Sequence, residues 1–296
     1  MGLLVENVSK TFIDKKAVDK ISFKIDKPGL FALLGTNGAG KTTTIRMMLG
    51  IIKKDSGKIT WNGKEVDRKS VNFGYLPEER GIYPKTKIID QLVYFSKLKG
   101  MNKADALKNI DYWLDRLKMM EYKFEIAEKL SKGNQQKIQF ITAIMHDPEL
   151  IVLDEPFSGL DPVNADILKD VIFELVQKGK YIVMSSHQMN SIEELCEDIV
   201  ILNKGKTVLA GNLNDIKETY KVNKVEIQTK EDITKYINES NLKLISQNKR
   251  KYIIAIDEEV QAKHILKLLA DKDVRLEKFE LVKPTLHDIF IEKVGE

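Results

Sequence analysis

Apolar residues along this chain recur in several rhythms. Unbroken runs over residues 30–34, 150–153 and 181–184 predict strands buried on both faces. Residues 3–8 and 17–25 read as further strands, followed by a turn at Asp26-Lys27-Pro28-Gly29. From about 86 to 145 the spacing becomes three and four: Leu92, Phe95 and Leu98, then Leu107, Ile110, Leu114 and Leu117, predict helices. A helix over 164–177 separates the runs at 150–153 and 181–184, and another covers 42–49. Strand, helix, strand in that order gives a parallel sheet with right-handed crossovers, an α/β fold.

Beyond about residue 220 the rhythm shortens. Strand 224–229, helix 233–239, strands 242–247 and 252–257, helix 260–269 and strand 274–281 follow one another. That order is the ferredoxin-like split βαβ pattern, and a short helix over 286–292 closes it behind Pro284-Thr285. The expected organisation is a first domain over 1–216, containing a helical subdomain at about 86–145, and a small α+β accessory domain over 221–296. A length of 296 residues agrees with about two domains.

Composition narrows the classes. Hydrophobic residues at 43% support ordinary cores and exclude a disordered chain. A formal balance of +4 is close to neutral for a chain with this many charges, so no dedicated nucleic-acid binder is expected. The single cysteine, Cys196, excludes an internal disulfide framework and fits a reducing compartment; it reads as a core-facing helix residue. The start of the chain carries no signal-peptide pattern, and no apolar run approaches the ~20 residues that cross a bilayer. The expectation is a soluble protein, or one held at a membrane through a partner.

The chemistry begins at Gly35-Thr36-Asn37-Gly38-Ala39-Gly40-Lys41-Thr42, which fits G-x-x-x-x-G-K-[ST] between a buried strand and a helix. Glycines let backbone N–H groups wrap phosphates, and the helix start turns its positive end toward them. Lys41 offers a point charge to the β- and γ-phosphates, the Thr42 hydroxyl can ligate Mg²⁺, and Thr43 follows in the same turn. A second motif, Asp154-Glu155, ends the apolar run at 150–153. At the carboxyl end of a parallel strand these side chains face the ligand crevice. Asp154 would enter the Mg²⁺ shell and Glu155 would act as general base toward water. Alone, an Asp-Glu pair after a strand also reads as helix capping; the phosphate loop favours the catalytic role.

Between those motifs stands Leu130-Ser131-Lys132-Gly133-Asn134, opening a helix. It resembles the signature of ATP-binding-cassette ATPases, usually Leu-Ser-Gly-Gly-Gln. Ser158-Gly159-Leu160-Asp161 is similar to that family's D-loop, and Ser185-Ser186-His187 to the strand end bearing its switch histidine. Five motifs in the family's order cover about residues 3–211.

The resemblance implies a P-loop core with a parallel sheet, an antiparallel β part and a helical subdomain. It implies ATP and Mg²⁺ as cofactors and ATP hydrolysis as the activity. Two such subunits, as a homodimer or heterodimer, would close around two nucleotides. Ser131, Gly133 and Asn134, with Asp161 nearby, would then cap the γ-phosphate held by the other subunit. Without the family, Ser131 would read as an ordinary helix cap. His187 would donate to the γ-phosphate and steady the water near Glu155. Phe12 stands where the family carries an aromatic that stacks on adenine; by residue type alone it is packing. His146, His264 and His287 have no such context and read as surface or packing residues.

Two departures stand out. In Tyr75-Leu76-Pro77-Glu78, Glu78 replaces the family's Gln, still able to reach Mg²⁺ or the water. Lys132 and Asn134 replace Gly and Gln in the signature. Both changes, and the closing Pro284-Thr285-Leu286-His287-Asp288-Ile289-Phe290, resemble a branch of bacterial exporter cassettes that includes sodium-efflux and antibiotic-export subunits. That branch implies an integral membrane permease as partner, no nucleic acid, and a location in the cytoplasm, peripheral on the inner face of the cell membrane. The loop of Glu78 and the segment at about 86–118 would contact the permease; Lys85-Thr86-Lys87 also reads as a solvated loop. The competing reading is a soluble cassette acting on the ribosome or nucleic acid, whose known types carry two cassettes or a long coiled coil. A non-hydrolysing regulator would lack Glu155 or Lys41. Asn203-Lys204-Gly205-Lys206 lacks the Asp of the guanine-reading motif, which argues against a GTPase.

Overall fold

The computed structural model describes residues 2–67, 71–79, 81–220 and 223–295, which divide into two compact units, Met1–Gly211 and Asn212–Glu296. The first unit opens with β1 (Leu3–Phe12), β2 (Lys15–Ile25) and β3 (Gly29–Gly35), then α1 (Lys41–Met48), β4 (Ser56–Trp61), β5 (Lys64–Glu65) and β6 (Phe73–Leu76). Three helices follow, α2 (Ile88–Leu98), α3 (Lys103–Arg116) and α4 (Lys132–Ile144). The unit ends with β7 (Leu150–Asp154), α5 (Pro162–Gln177), β8 (Tyr181–Ser186), α6 (Met189–Glu193), β9 (Asp198–Asn203) and β10 (Lys206–Asn212).

The central sheet has the order β10-β9-β3-β8-β7-β6, and β9, β3, β8, β7 and β6 run parallel to their neighbours. All five residues of β7 are buried, as are all but the first of β3 and of β8, which is why these strands read as unbroken apolar runs. A second, antiparallel sheet runs β2-β1-β4-β5. Its inward residues Val5, Ile21, Ile59 and Trp61 share one core with Ile45 and Met48 of α1 and with Phe31, Leu33, Val152 and Val183 of the central sheet. The helical stretch buries Leu92, Ile110 and Leu114 as the spacing predicts. Leu98, on the same stripe, is the last residue of α2 and is exposed, because the chain turns away at Lys99-Gly100. Cys196 is buried, but it lies beyond the end of α6 and not within a helix. Burial there pushes its thiol pKa up, so it is inert.

The register positions the site. Asp154 of β7 and Leu33 of β3 both pair with Ser185 of β8. The carboxyl ends of β3, β7 and β8 therefore finish level with one another, and the loops that follow emerge side by side.

The second unit holds α7 (Leu213–Thr219), β11 (Lys224–Thr229), α8 (Thr234–Glu239), β12 (Lys243–Asn248), β13 (Lys251–Ala255), α9 (Glu259–Asp271), β14 (Leu276–Val282) and α10 (Leu286–Gly295). Its antiparallel sheet has the order β12-β13-β11-β14, the interleaving that two split βαβ units produce. Val225, Ile227, Tyr252 and Ile254 pack with Ile237 of α8 and Ile265 and Leu269 of α9. Alternate residues face away from that core. Among them Glu226 is gripped by Lys251 at 2.7 Å and Lys278 at 3.2 Å. Helix α7, absent from the periodicity reading, falls in this unit.

Candidate active site

The loop between β3 and α1 is shaped by backbone contacts that exclude side chains. Gly35 has φ 150° and its missing Cβ would lie 2.4 Å from the Leu202 carbonyl oxygen. Gly40 has φ 103° and a Cβ there would meet the Ala17 carbonyl at 2.6 Å. Glycine alone fits both positions. The turn after β9 buttresses the loop: Gly205 N donates to Ala39 O at 3.0 Å, and Asp19 N donates to Gly205 O at 2.7 Å. Gly40 also occupies the N-cap of α1, with no side-chain cap, so the first N–H groups of that helix are left for an anion.

Lys41 is buried. Its Nζ donates to Gly35 O at 2.8 Å and Thr36 O at 3.3 Å, and lies 3.5 Å from Glu155 Oε1. Glu155 is buried and takes a left-handed backbone, φ 52°, a rare conformation outside glycine that aims its side chain off the strand end. Its Oε1 lies 2.9 Å from His187 Nδ1, whose half-exposed ring stands beyond β8. The structure thus brings Lys41, Glu155 and His187 together around one carboxylate oxygen.

Asp154 is fully buried. Its Oδ1 accepts a hydrogen bond from Ser185 Oγ at 2.5 Å, and Ser185 Oγ also accepts from Glu155 N at 3.1 Å. Asp154 Oδ2 has no hydrogen-bond partner. A buried carboxylate oxygen without a donor is costly unless a cation satisfies it. Among the described residues no group of three or more His, Cys, Asp or Glu side chains could cage a metal alone. One orphaned carboxylate oxygen beside a phosphate loop suits Mg²⁺, which binds through one or two carboxylates plus phosphates and water.

A cleft of about 580 Å³ opens over this arrangement, walled by residues 37–43, Glu78, Glu155 and Phe12. Phe12 is 44% exposed, with Lys10 Nζ 5.4 Å from its ring centre. Gly35 and Thr36 lie behind the wall, where their carbonyls hold Lys41. Lys15, Lys16 and Lys204 also line the cleft. Sequence reasoning missed these cations; Lys204 drew notice only as part of an incomplete guanine motif.

Ser131, Gly133, Asn134 and Asp161 are not among the residues that line this cleft. Ser131 caps α4 by accepting from Asn134 N at 3.2 Å, and Gly133 packs so closely that a Cβ would meet the Leu160 side chain at 3.2 Å. Asp161 caps α5, accepting from Asn164 N at 3.0 Å. His146 is half-buried, its Nε2 3.1 Å from Phe73 O; desolvation, with Lys99 adding to it, lowers its pKa to about 4, so it stays neutral and packs.

Comparison with known proteins agrees with this geometry. The family described as ABC transporter matches residues 18–158, and the C-terminal domain of DrrA1-3-like ATP-binding proteins matches residues 211–294. The chain is 47% identical over 294 residues to YhaQ of Bacillus subtilis, an uncharacterised ABC transporter ATP-binding protein, covering 99% of this chain and 98% of that one. It is 34% identical to the linearmycin resistance ATP-binding protein LnrL of the same organism, over 72% of this chain and 70% of that one. A solved ATP-binding subunit of an ABC transporter superposes with a TM-score of 0.68 at 28% identity, covering 74% of this chain and 93% of that one. The chain belongs to the ABC transporter ATP-binding proteins, a family that hydrolyses ATP.

Proposed function

We propose that this chain is the ATP-hydrolysing subunit of an exporter, closing with a second ATPase subunit around two Mg·ATP to drive a separate membrane permease. The observation that carries the reading is the convergence of Lys41, Glu155 and His187 at the mouth of a phosphate loop, level with the orphaned Asp154 carboxylate.

In this reading, the loop N–H groups and Lys41 bind the phosphates, and Phe12 stacks on adenine. Thr42, Asp154 and Glu78 supply oxygen ligands for Mg²⁺. The chemistry supplied by the bound ion is neutralisation of charge on the phosphate oxygens. Glu155 orients water in line with the γ-phosphorus and takes its proton. The water oxygen bonds to the γ-phosphorus as the bond from phosphorus to the bridging oxygen breaks, so that inorganic phosphate forms and ADP leaves with that oxygen. His187 holds Glu155 in place through the 2.9 Å contact and donates toward the γ-phosphate. Ser131, Gly133, Asn134 and Asp161, which do not line their own cleft, complete the cleft of a second subunit.

No helix among the described residues is long and apolar enough to cross a membrane, which fits a division of labour with a permease. The half-exposed aromatic cluster Tyr83, Tyr94 and Phe95 on the helical part supports a docking surface there. The likeness to LnrL supports antibiotic-type export. The second unit serves as an accessory domain for dimer support or regulation. The test is a pull-down of tagged Glu155→Gln protein from its own cells in detergent with Mg·ATP. A polytopic membrane protein in near-equal amount is the expected result; ribosomal proteins or nucleic acid in its place would overturn the transporter reading.

A further inference from the structure

The helix that presents Ser131 also holds three loops of its own subunit. From α4, Gln136 Nε2 donates to Pro156 O at 3.3 Å, one residue beyond Glu155. Lys137 Nζ, buried, donates to Asn164 Oδ1 at 2.8 Å, and Asn164 Nδ2 donates in turn to Asp161 Oδ2 at 2.6 Å. Gln139 Nε2 donates to Pro77 O at 3.3 Å and to Glu79 O at 2.9 Å, the carbonyls on either side of Glu78.

Gln139 is 3% exposed, and its Oε1 has no hydrogen-bond partner. The amide orientation is fixed by chemistry, since only an NH₂ group can face two carbonyl oxygens. An apolar side chain of similar length would fill this space without orphaning an oxygen, so the residue's contribution lies in its two bonds to the loop. The ion pair on this stretch, Arg46 to Glu79 at 3.1 Å, involves a Glu79 side chain that is 80% exposed and is worth little. The buried amide therefore holds the backbone on both sides of Glu78, whose own side chain lines the cleft.

We infer that Gln139 is a positioning residue for Glu78, clamping the carbonyls that flank the cleft-lining carboxylate and tying the Ser131 helix to its own subunit's cleft. The inference rests on the proposed role of Glu78 toward Mg²⁺ or the attacking water. Partners that orient a metal-facing ligand typically cost about 10–100-fold in metal affinity or activity when removed. The experiment uses the full-length protein and Gln139→Met, which keeps the volume and removes both donors. It measures Mg²⁺-dependent binding of a fluorescent ATP analogue, kcat and KM for ATP, and amide exchange of the peptide containing Glu78.

The expected result is a tenfold or larger rise in the Mg²⁺ midpoint of analogue binding and a fall in kcat with KM for ATP little changed. Amide exchange should quicken in that peptide alone. In a Glu78→Gln background, Gln139→Met should add almost nothing. Parent-like Mg²⁺ dependence, or a full further loss in the Glu78→Gln background, would overturn the inference. Should Gln139→Met fail to fold, the isosteric Gln139→Glu carries the same comparison, since its carboxylate repels both carbonyls. Turnover that survives Lys41→Ala would sink the ATPase reading itself; turnover lost there but intact in both Gln139 variants would sink this inference alone.

Discussion

Ser185→Ala is the perturbation whose size follows most directly from the structure. The Ser185 hydroxyl is fully buried and serves two motifs at once, donating to Asp154 Oδ1 and accepting from Glu155 N. Alanine fits the same strand position, so the change removes bonds without altering packing. It leaves Asp154 with neither oxygen bonded and Glu155 N–H unpaired. A bond to a charged group contributes about 1.5–3 kcal/mol, and an orphaned buried N–H costs about 1–3 kcal/mol. With some relaxation of the strand end, the net loss is about 2–4 kcal/mol. At roughly 2–4 °C per kcal/mol for a unit of this size, the melting midpoint of the N-terminal unit should fall by about 5–15 °C. Scanning calorimetry of the full chain measures it. ATP turnover should fall about 10–100-fold at temperatures where the variant is still folded, because the Asp154 carboxylate loses its orienting partner. Saturating Mg·ATP should recover part of the lost midpoint, since cation binding satisfies the carboxylate. An unchanged midpoint together with unchanged turnover would refute the claim that Ser185 supports both acidic residues.

Three further outcomes are expected. Lys41→Ala should abolish hydrolysis and weaken ATP binding, measured by phosphate release and by fluorescent-nucleotide titration. Ser131→Arg should stop hydrolysis while leaving ATP affinity within about twofold, because Ser131 lies outside its own cleft; normal hydrolysis would remove the composite-site argument. At Glu174, burial pushes the carboxyl pKa up, but hydrogen bonds from Lys178, Tyr112 and Arg116 outweigh it and hold the value down at about 2. A depressed carboxylate stabilises above its ordinary range and loses that stabilisation as pH falls through its folded value. Glu174 links α5 to α3 through Tyr112 and Arg116, so Glu174→Gln should destabilise the chain at neutral pH and make its stability flatter between about pH 4.5 and 2, read by urea midpoints across that range.

The phosphate loop was legible because its chemistry is packed into eight consecutive residues. The Asp154-Glu155 pair was legible because it ends a wholly buried strand. The C-terminal unit could be ordered from periodicity because each element there is short and amphipathic. Other features depend on contacts distant in sequence and leave no local trace. Lys15 and Lys16 reach the cleft only because β1 and β2 fold into a hairpin, and Lys204 only because the turn after β9 leans on the phosphate loop. Strand β6 is four residues long at one edge of the central sheet and β10 is mostly solvated at the other, so their apolar signal is weak, and β4 buries only its last three residues; β9, by contrast, carries the buried run Ile199-Val200-Ile201-Leu202 and went unread. Ser185 was visible as part of a motif, but its bond to Asp154 depends on the parallel register of β7 and β8. Gln139 belongs to none of the sequence motifs, and only tertiary structure shows it buried against a loop 60 residues away.

The central claim is that two copies of this cleft are each completed by the other subunit, or by a related one. The most direct test is light scattering of purified Glu155→Gln protein with and without Mg·ATP, since this variant keeps the binding residues and removes the base. A monomer that becomes a dimer only when Mg·ATP is present, and reverts when Ser131→Arg is added, is the predicted result for a self-pairing subunit. If it stays monomeric with nucleotide bound, both alone and when mixed with any second ATPase subunit recovered with it from its own cells, the sandwich account is contradicted.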